Sequence, residues 1–356
     1  MTVAGFFLPN LEVGGAEMSM IRVLRHLDRS RVRPVLLLLN RKGALLEAVP
    51  ADVPVVDLGR TRRLFLPRAA LRLGSALREH AVDVLLSAIE VPTLLSLLTR
   101  PLLPRATRVG HIEQSVPSRQ LPEKTPLLPL HRRLWRRLDF AIAVSRAAAQ
   151  DLRRNFAVRD VHIIPNPIEL EELRRDGPAP HPWLDDGVPC IVSLGRLDRQ
   201  KGHDVLIEAF RRVRERTRAR LLIFGDGPMK LQAGEDVALP GRISAVAPAL
   251  RRATVFALAS RVEGFPLAVA EAMACGAPVV ATRVGTEELV RDGENGLLVP
   301  PEDPEAMAGA LLRLLESREL RKRLADRARL DVAAFDAPAV ARQYEQVIAS
   351  ACRKRG

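Results

Sequence analysis

Ser193-Leu194-Gly195-Arg196-Leu197-Asp198-Arg199-Gln200-Lys201-Gly202 stands between the short apolar run Cys190 to Leu194 and the amphipathic stretch His203 to Glu215. An apolar run that stops at a glycine and resumes with a helical period reads as strand, turn and helix, the opening of a βαβ unit. Ligands of open α/β sheets bind beyond the carboxyl ends of the strands, so the turn aims two cations, Arg196 and Lys201, at the place a ligand would take. An arginine offers a fork of donors and a lysine a compact charge. The pair suits a diphosphate whose negative charge grows as it leaves. On spacing alone, a surface Arg and Lys on a loop is an equal reading.

Outward from this turn the same alternation continues. Strands are expected at Arg220 to Phe224, Val255 to Leu258, Pro278 to Ala281 and Gly296 to Val299, with helices at His203 to Glu215, Leu267 to Ala274 and Pro304 to Leu315. Toward the amino end, strands are expected at Val3 to Leu8, Pro34 to Leu39, Val53 to Leu58, Val82 to Ser87, Thr107 to Gly110, Phe140 to Val144 and Val161 to Ile164. Helices fall at Ala16 to Leu27, Arg68 to His80, Leu130 to Leu138 and Arg146 to Phe156. Alternation of this kind implies parallel sheets. Pro165-Asn166-Pro167 and the polar, proline-rich Glu169 to Pro189 read as a linker. The expected organisation is therefore α/β, with two doubly wound Rossmann-like domains facing across a cleft. Residues 1–168 form the first, 169–335 the second, and 336–356 a closing helix. A length of 356 residues suits two such cores.

A second informative stretch runs from Ser260-Arg261-Val262-Glu263-Gly264-Phe265-Pro266 into Leu267 to Gly276. Pro266 sits where a helix would begin and Gly276 just past its end. The helix start leaves N–H groups at Phe265, Leu267 and Ala268 for an anion or a sugar hydroxyl. Glu263 and Glu271, eight positions apart, can accept from different hydroxyls of one polyol; a cap and a solvated helix carboxylate are the commoner reading of such residues. In the first half, Pro9-Asn10-Leu11-Glu12-Val13-Gly14-Gly15-Ala16-Glu17 joins strand to helix, and its paired glycines let backbone approach a phosphate. It is not the GxGxxG of dinucleotide binders, which disfavours a dehydrogenase. His111 follows another strand and is expected to face the cleft.

The chain carries 55 Lys+Arg against 42 Asp+Glu, a formal charge of +13, and the excess is lopsided. Residues 1–168 hold 26 basic and 14 acidic side chains, whereas residues 169–356 hold 29 and 28. The basic side chains are densest through Arg119, Lys124, Arg132, Arg133, Arg136 and Arg137, interleaved with leucines and Trp135. That composition fits attachment to an anionic membrane surface or attraction of a phosphorylated substrate. It also fits an arginine-rich composition bias, since only six of the 55 are lysines. No zinc-finger spacing, RNA-binding signature or basic heptad speaks for nucleic acid. Cys190, Cys275 and Cys352 lack disulfide or metal spacing, so a reducing cytosol is expected. No apolar run reaches the ~20 residues that span a bilayer, and the run at Val3 to Leu8 lacks the features of a signal peptide.

Taken together, these stretches resemble the retaining, nucleotide-sugar-dependent glycosyltransferases of family 4, with the GT-B fold. The resemblance also rests on Val144-Ser145-Arg146, Ile164-Pro165-Asn166-Pro167, Gly225-Asp226-Gly227-Pro228 and Asp292 to Pro301, in that order along most of the chain. It implies that Arg196 and Lys201 hold the donor diphosphate, that Glu271 holds the ribose, and that the closing helix, about Pro338 to Cys352, crosses back onto the first domain. Glu263, with backbone at Gly264 and Phe265, holds the transferred sugar, Leu267 and Ala268 complete the donor-binding set, and Gly14 and Gly15 approach the diphosphate. His111 matches the family's histidine near the reacting carbon, so Glu263, His111, Arg196 and Lys201 form the expected catalytic set. The partners implied are a UDP- or GDP-sugar donor and a glycan or lipid-linked acceptor on the basic first domain. No cofactor is expected, and the absence of Asp-x-Asp fits a metal-independent enzyme. The family usually has a full helix and another strand start between Pro228 and Pro240, where this chain has only Met229 to Leu239. A donor-binding subunit without turnover, and a nucleotide-sugar epimerase or hydrolase, are the alternatives.

Overall fold

The computed structural model describes residues 1–12, 14–59, 66–120 and 128–353. The chain folds as two compact units, Met1–Pro167 with Ala337–Gly356, and Ile168–Asp336. In chain order the first unit contains β1 (Thr2–Leu8), α1 (Gly15–His26), β2 (Val32–Leu38), β3 (Val55–Asp57), α2 (Leu66–Glu79), β4 (Val84–Ala88), α3 (Glu90–Leu98) and β5 (Arg108–Glu113). It continues with α4 (Pro117–Gln120), α5 (Leu128–Trp135), β6 (Phe140–Ala143), α6 (Arg146–Asn155) and β7 (Val161–Ile163). The second unit contains α7 (Leu170–Arg174), β8 (Cys190–Leu194), α8 (His203–Arg214), β9 (Arg220–Phe224), β10 (Val237–Gly241), α9 (Ala247–Arg252) and β11 (Val255–Leu258). It ends with α10 (Leu267–Cys275), β12 (Val279–Thr282), β13 (Leu297–Val299), α11 (Pro304–Glu316) and α12 (Arg318–Val332). The closing helix α13 (Ala337–Arg353) belongs to the first unit.

Each unit is built on one parallel sheet, ordered β3-β2-β1-β4-β5-β6-β7 in the first and β10-β9-β8-β11-β12-β13 in the second. In the first, consecutive residues feed opposite faces. Phe7, Leu37, Leu85 and Val109 pack with Leu73 and Leu77 of α2, Trp135 of α5 and Leu152 of α6. Phe6, Leu36, Leu86 and Ile112 pack with Ile21 and Leu24 of α1 and with Tyr344 and Ile348 of α13. Helices on both faces are why the strands read as nearly continuous apolar runs. In the second unit, Ile191, Leu221, Val255 and Val280 face Phe210 of α8 and Leu311 of α11.

The structure departs from the sequence reading in several places. Helix α3 has no expected counterpart because its opening, Glu90-Val91-Pro92-Thr93, carries a proline and β-branched residues; the proline falls in the first turn, where a missing N–H costs no helix bond. Helix α12 was not anticipated either, since it buries only Leu324, Ala325, Ala328 and Val332 and so shows little apolar period. The stretch 169–189 is no loose linker. Ile168 and Leu173 are buried, and Arg251 donates to the carbonyls of Leu173, at 2.5 Å, and Arg175. Finally, β10 is present and parallel to β9, yet residues 225–236 between them form no helix. Of the basic segment, Leu121 to Leu127 with Lys124 lie outside the described residues, as do the side chains of Arg119 and Leu128 and the Val13 of the glycine turn.

Candidate functional site

In each sheet the strand order reverses once, between β1 and β4 and between β8 and β11. Crevices open at such switch points beyond the strand ends. In the second unit, the loops flanking the reversal are the two stretches singled out above: 195–202 after β8 and 259–266 after β11. Their side chains meet there. Lys201 Nζ donates to Glu263 Oε1 at 2.7 Å, and Ser260 Oγ donates to the same oxygen at 2.6 Å. Glu263 is buried while Lys201 keeps 24% of its side chain exposed. Both bonds fall on Oε1, so Oε2 remains to accept from a ligand hydroxyl.

The loop that carries Lys201 is held from several sides. Asp198 accepts from the Lys201 N–H at 3.1 Å and, through its other oxygen, from Arg196 Nε at 2.5 Å, so one carboxylate spaces the two cations. Arg196 is otherwise exposed. Arg261 donates to the Arg199 carbonyl at 2.6 Å and forks onto both oxygens of Asp204, at 2.9 and 3.0 Å. The fork holds the Asp204 carboxyl below its ordinary range and keeps Arg261 firmly charged. Gly202 turns the chain into α8 with φ of +63°, and a Cβ there would stand 2.0 Å from the Ala259 carbonyl oxygen. A second close approach fixes the other side. A Cβ on Gly225 would lie 1.8 Å from the Gly195 oxygen, and the Leu197 N–H donates to the Asp226 carbonyl at 2.9 Å. The Gly-Asp-Gly-Pro turn after β9 thus clamps the Gly-Arg turn after β8.

Behind these loops His203 is fully buried at the start of α8. Burial, reinforced by the Lys201 charge, pushes its pKa down to about 4. A neutral ring under the loop adds no further positive charge beside Lys201 and Arg196.

Helix α10 has Pro266 at its N-cap and no side-chain cap. The Leu267 N–H, expected to be open, instead donates to the Phe265 carbonyl at 3.0 Å across a tight turn at Pro266. The N–H groups of Phe265 and Ala268 have no partner among the described residues and face the helix's positive end. Gly264 links Glu263 to this turn, and Phe265 is buried edge-on against Phe335, centroids 5.6 Å apart. Glu271 lies half-exposed on the second turn of α10.

In the first unit the expected residues do not all behave alike. Gly14 caps α1 and Gly15 opens it, with no side-chain cap. The Glu17 carboxylate folds back over this turn, one oxygen 2.3 Å from where a Gly14 Cβ would stand. Burial raises the Glu17 pKa, outweighing the backbone bond that lowers it. The carboxylate thus lies against the glycine turn. The sequence reading places His111 after a strand, and the structure places it within one. It lies inside β5, 1% exposed, with Nε2 donating to Glu113 Oε2 at 3.0 Å, while Nδ1 meets Thr93 Oγ1 at 2.8 Å and the Ser87 carbonyl at 3.2 Å. Both ring nitrogens are engaged, and the ring packs on Trp135. β5 runs three residues past its expected end at Gly110, so Glu113, and not a residue before His111, closes the strand.

Sequence reasoning also passed over Ser260, Asp198 and Arg261, whose contacts fix the two loops. Asp198 carried a signal, an N-cap residue three before Lys201. Ile89 carried none. It follows β4 at the first unit's switch point with φ of +68°, a costly conformation for a β-branched residue.

Two Rossmann-like sheets, each with a loop pair at its reversal, define the GT-B class of transferases. Residues 188–317 match the family described as glycosyl transferases group 1, and residues 13–172 match glycosyltransferase family 4. The chain belongs to the group 1 glycosyltransferases of family 4 and is a glycosyltransferase. One relative, the N-acetylgalactosamine-N,N'-diacetylbacillosaminyl-diphospho-undecaprenol 4-alpha-N-acetylgalactosaminyltransferase of Campylobacter jejuni, is 29% identical over 96% of this chain and 98% of its own length. The phosphatidyl-myo-inositol mannosyltransferase of Mycobacterium leprae is 34% identical over 57% of this chain and 58% of its own. Among solved structures, Anabaena HepE in complex with UDP and glucose superposes with a TM-score of 0.83 at 18% identity, covering 98% of this chain and all of that one.

Proposed function

We propose that this enzyme is a retaining transferase that moves a hexose or N-acetylhexosamine from a UDP- or GDP-sugar to a glycan or lipid-linked acceptor in cell-envelope polysaccharide or glycolipid synthesis. The first unit serves the acceptor at an anionic membrane surface and the second holds the donor. The observation that carries the reading is the 2.7 Å bond between Lys201 and Glu263 at the switch point of the second sheet. It places a cation for the diphosphate beside a carboxylate with one oxygen to spare for the sugar.

The chemistry follows from those groups. As the bond between the anomeric carbon and the diphosphate oxygen breaks, its electron pair passes to the leaving phosphate. Lys201, Arg196 and the open N–H groups at the start of α10 stabilise that charge, each well-aimed donor contributing about 3 kcal/mol. The acceptor oxygen bonds to the anomeric carbon on the face the phosphate leaves, and its proton passes to a phosphate oxygen, which retains configuration. Glu263 and Glu271 hold the sugar and the ribose. UDP is the first nucleotide to test, because the HepE structure contains it.

A thermal-shift series with UDP, GDP and ADP tests the donor. At a hundredfold excess over Kd, a ligand of the folded state alone adds about 2.7 kcal/mol. UDP or GDP raises Tm in the wild type, and Arg196→Ala or Lys201→Ala diminishes the rise. No shift with any of the three, or a full shift in both variants, refutes the donor site. The anomeric configuration of the product, read by NMR coupling, tests retention.

A further inference from the structure

Eight large apolar side chains are exposed among the described residues, and five of them, Leu71, Val91, Leu98, Leu102 and Leu130, sit on neighbouring elements of the first unit. Helix α3 touches both α2 and α5, and the 3-10 turn Arg100–Leu102 touches α2 and α3. Helical spacing lines them up. Val91 and Leu98 are seven positions apart and so share one face of α3. On α2, Leu71, Gly74 and Arg78 share a face, and Gly74 lets the Leu102 backbone come in close: a Cβ there would stand 3.1 Å from the Leu102 oxygen. Arg78 then donates to that same carbonyl at 3.3 Å. The result is an apolar stripe running from α5 across α3 to α2.

Exposed arginines flank the stripe at both ends: Arg68, Arg72 and Arg78 on α2, and Arg132, Arg133 and Arg136 at α5. Half-exposed leucines among solvated cations are a costly surface for water but a fitting one for a lipid interface. The leucines enter the acyl boundary while the guanidinium groups stay with anionic headgroups. A neutral protein partner would leave the cations unanswered. No helix of the described residues is long and apolar enough to cross a membrane, so contact through this face would be superficial.

We propose that the α2–α3–α5 face of the first unit docks on an anionic lipid bilayer, with Leu71, Leu98 and Leu102 as the inserted side chains. The proposal rests on the membrane part of the function above and names the surface that carries it. Catalysis is a separate matter: UDP binding and transfer to a water-soluble acceptor do not require this face.

The test is co-sedimentation of the full chain with phosphatidylglycerol/phosphatidylcholine vesicles and with pure phosphatidylcholine vesicles, at low and high salt. Two variants are compared, Leu71→Ser/Leu98→Ser/Leu102→Ser and Arg72→Glu/Arg133→Glu, each checked for an unchanged Tm and UDP shift. All five positions are exposed, so both should fold. The wild type partitions onto the anionic vesicles only, and salt weakens it, because a Debye length of about 3 Å at 1 M screens the headgroups. Each variant loses about tenfold or more in partitioning. A wild type left in the supernatant overturns the proposal, as does a leucine variant that binds like the wild type. So does a lipid-free wild type that sediments as a dimer when the leucine variant is a monomer, which would make the face a protein interface. An intact UDP shift in any of these cases leaves the transferase reading standing.

Discussion

The Lys201–Glu263 contact supplies the sharpest quantitative prediction. Lys201→Met keeps the aliphatic stem and removes the ammonium, so Glu263, only 5% exposed, keeps Ser260 as its one side-chain donor. Breaking a buried ion pair by removing one partner costs about 3–5 kcal/mol. Lys201 retains 24% exposure, so water answers part of the loss and about 2–3 kcal/mol is expected. For a folding unit of this size that is a fall in Tm of about 5–10 °C. Glu263→Gln leaves a partly exposed ammonium facing an amide and costs about the same or less. The double variant removes both charges together, so its loss falls short of the sum by about 1–3 kcal/mol. Chemical denaturation of the four proteins measures the cycle, and UDP titration of each measures the functional side. Because Glu263 already orients the lysine, Glu263→Gln should weaken UDP binding without touching phosphate itself. Strict additivity of the two single losses, with unchanged UDP affinity in both, would refute the idea that the pair is a preorganised donor site.

Two further outcomes follow from the same loops. His203 is held neutral, with its pKa pushed from an ordinary 6.5 to about 4. The unfolded chain takes up its proton first as pH falls, so stability is complete above about 6.5 and is lost down to about 4, a loss of about 3 kcal/mol at 1.36 kcal/mol per pH unit. Denaturation midpoints for the wild type and His203→Phe should diverge only inside that window, and parallel curves would sink the assignment. Gly225→Ala forces a methyl group to within 1.8 Å of the Gly195 oxygen unless the clamp opens. It should lower stability by about 2 kcal/mol or more and abolish the UDP-induced shift, whereas a wild-type shift would show that the clamp does not set the Gly-Arg turn.

Most of the second unit's site was legible in advance because its signals are local. Gly195-Arg196 and Lys201-Gly202 flank a strand end, and Pro266 with Gly276 brackets α10, so spacing alone placed cations, carboxylates and a helix start on one edge. The bond between Lys201 and Glu263 was beyond reach, since 62 residues separate them and only the pairing of β8 with β11 brings their loops side by side. His111 shows the same limit in the other direction. A histidine near a strand end has one appearance in sequence whether it meets solvent or Thr93 and Glu113, and three extra residues of β5 decided the matter. Glu17 belongs with it: a carboxylate three residues past Gly14 reads as a first-turn helix acid, and its return over the glycine turn depends on side-chain rotamers.

By itself, then, the order of residues determined two parallel α/β units, the family, and the lopsided charge, because apolar period, turn glycines and proline positions act within a few residues of where they stand. Tertiary structure alone decided that the stretch after Pro167 packs closely, with Leu173 buried and Arg251 donating to its carbonyls, where the sequence reads as a linker. It also decided that the leucines of α2, α3 and α5 form one surface. Each of those outcomes depends on which distant faces bury each other, and burial is a property of the folded whole that no short window of sequence contains.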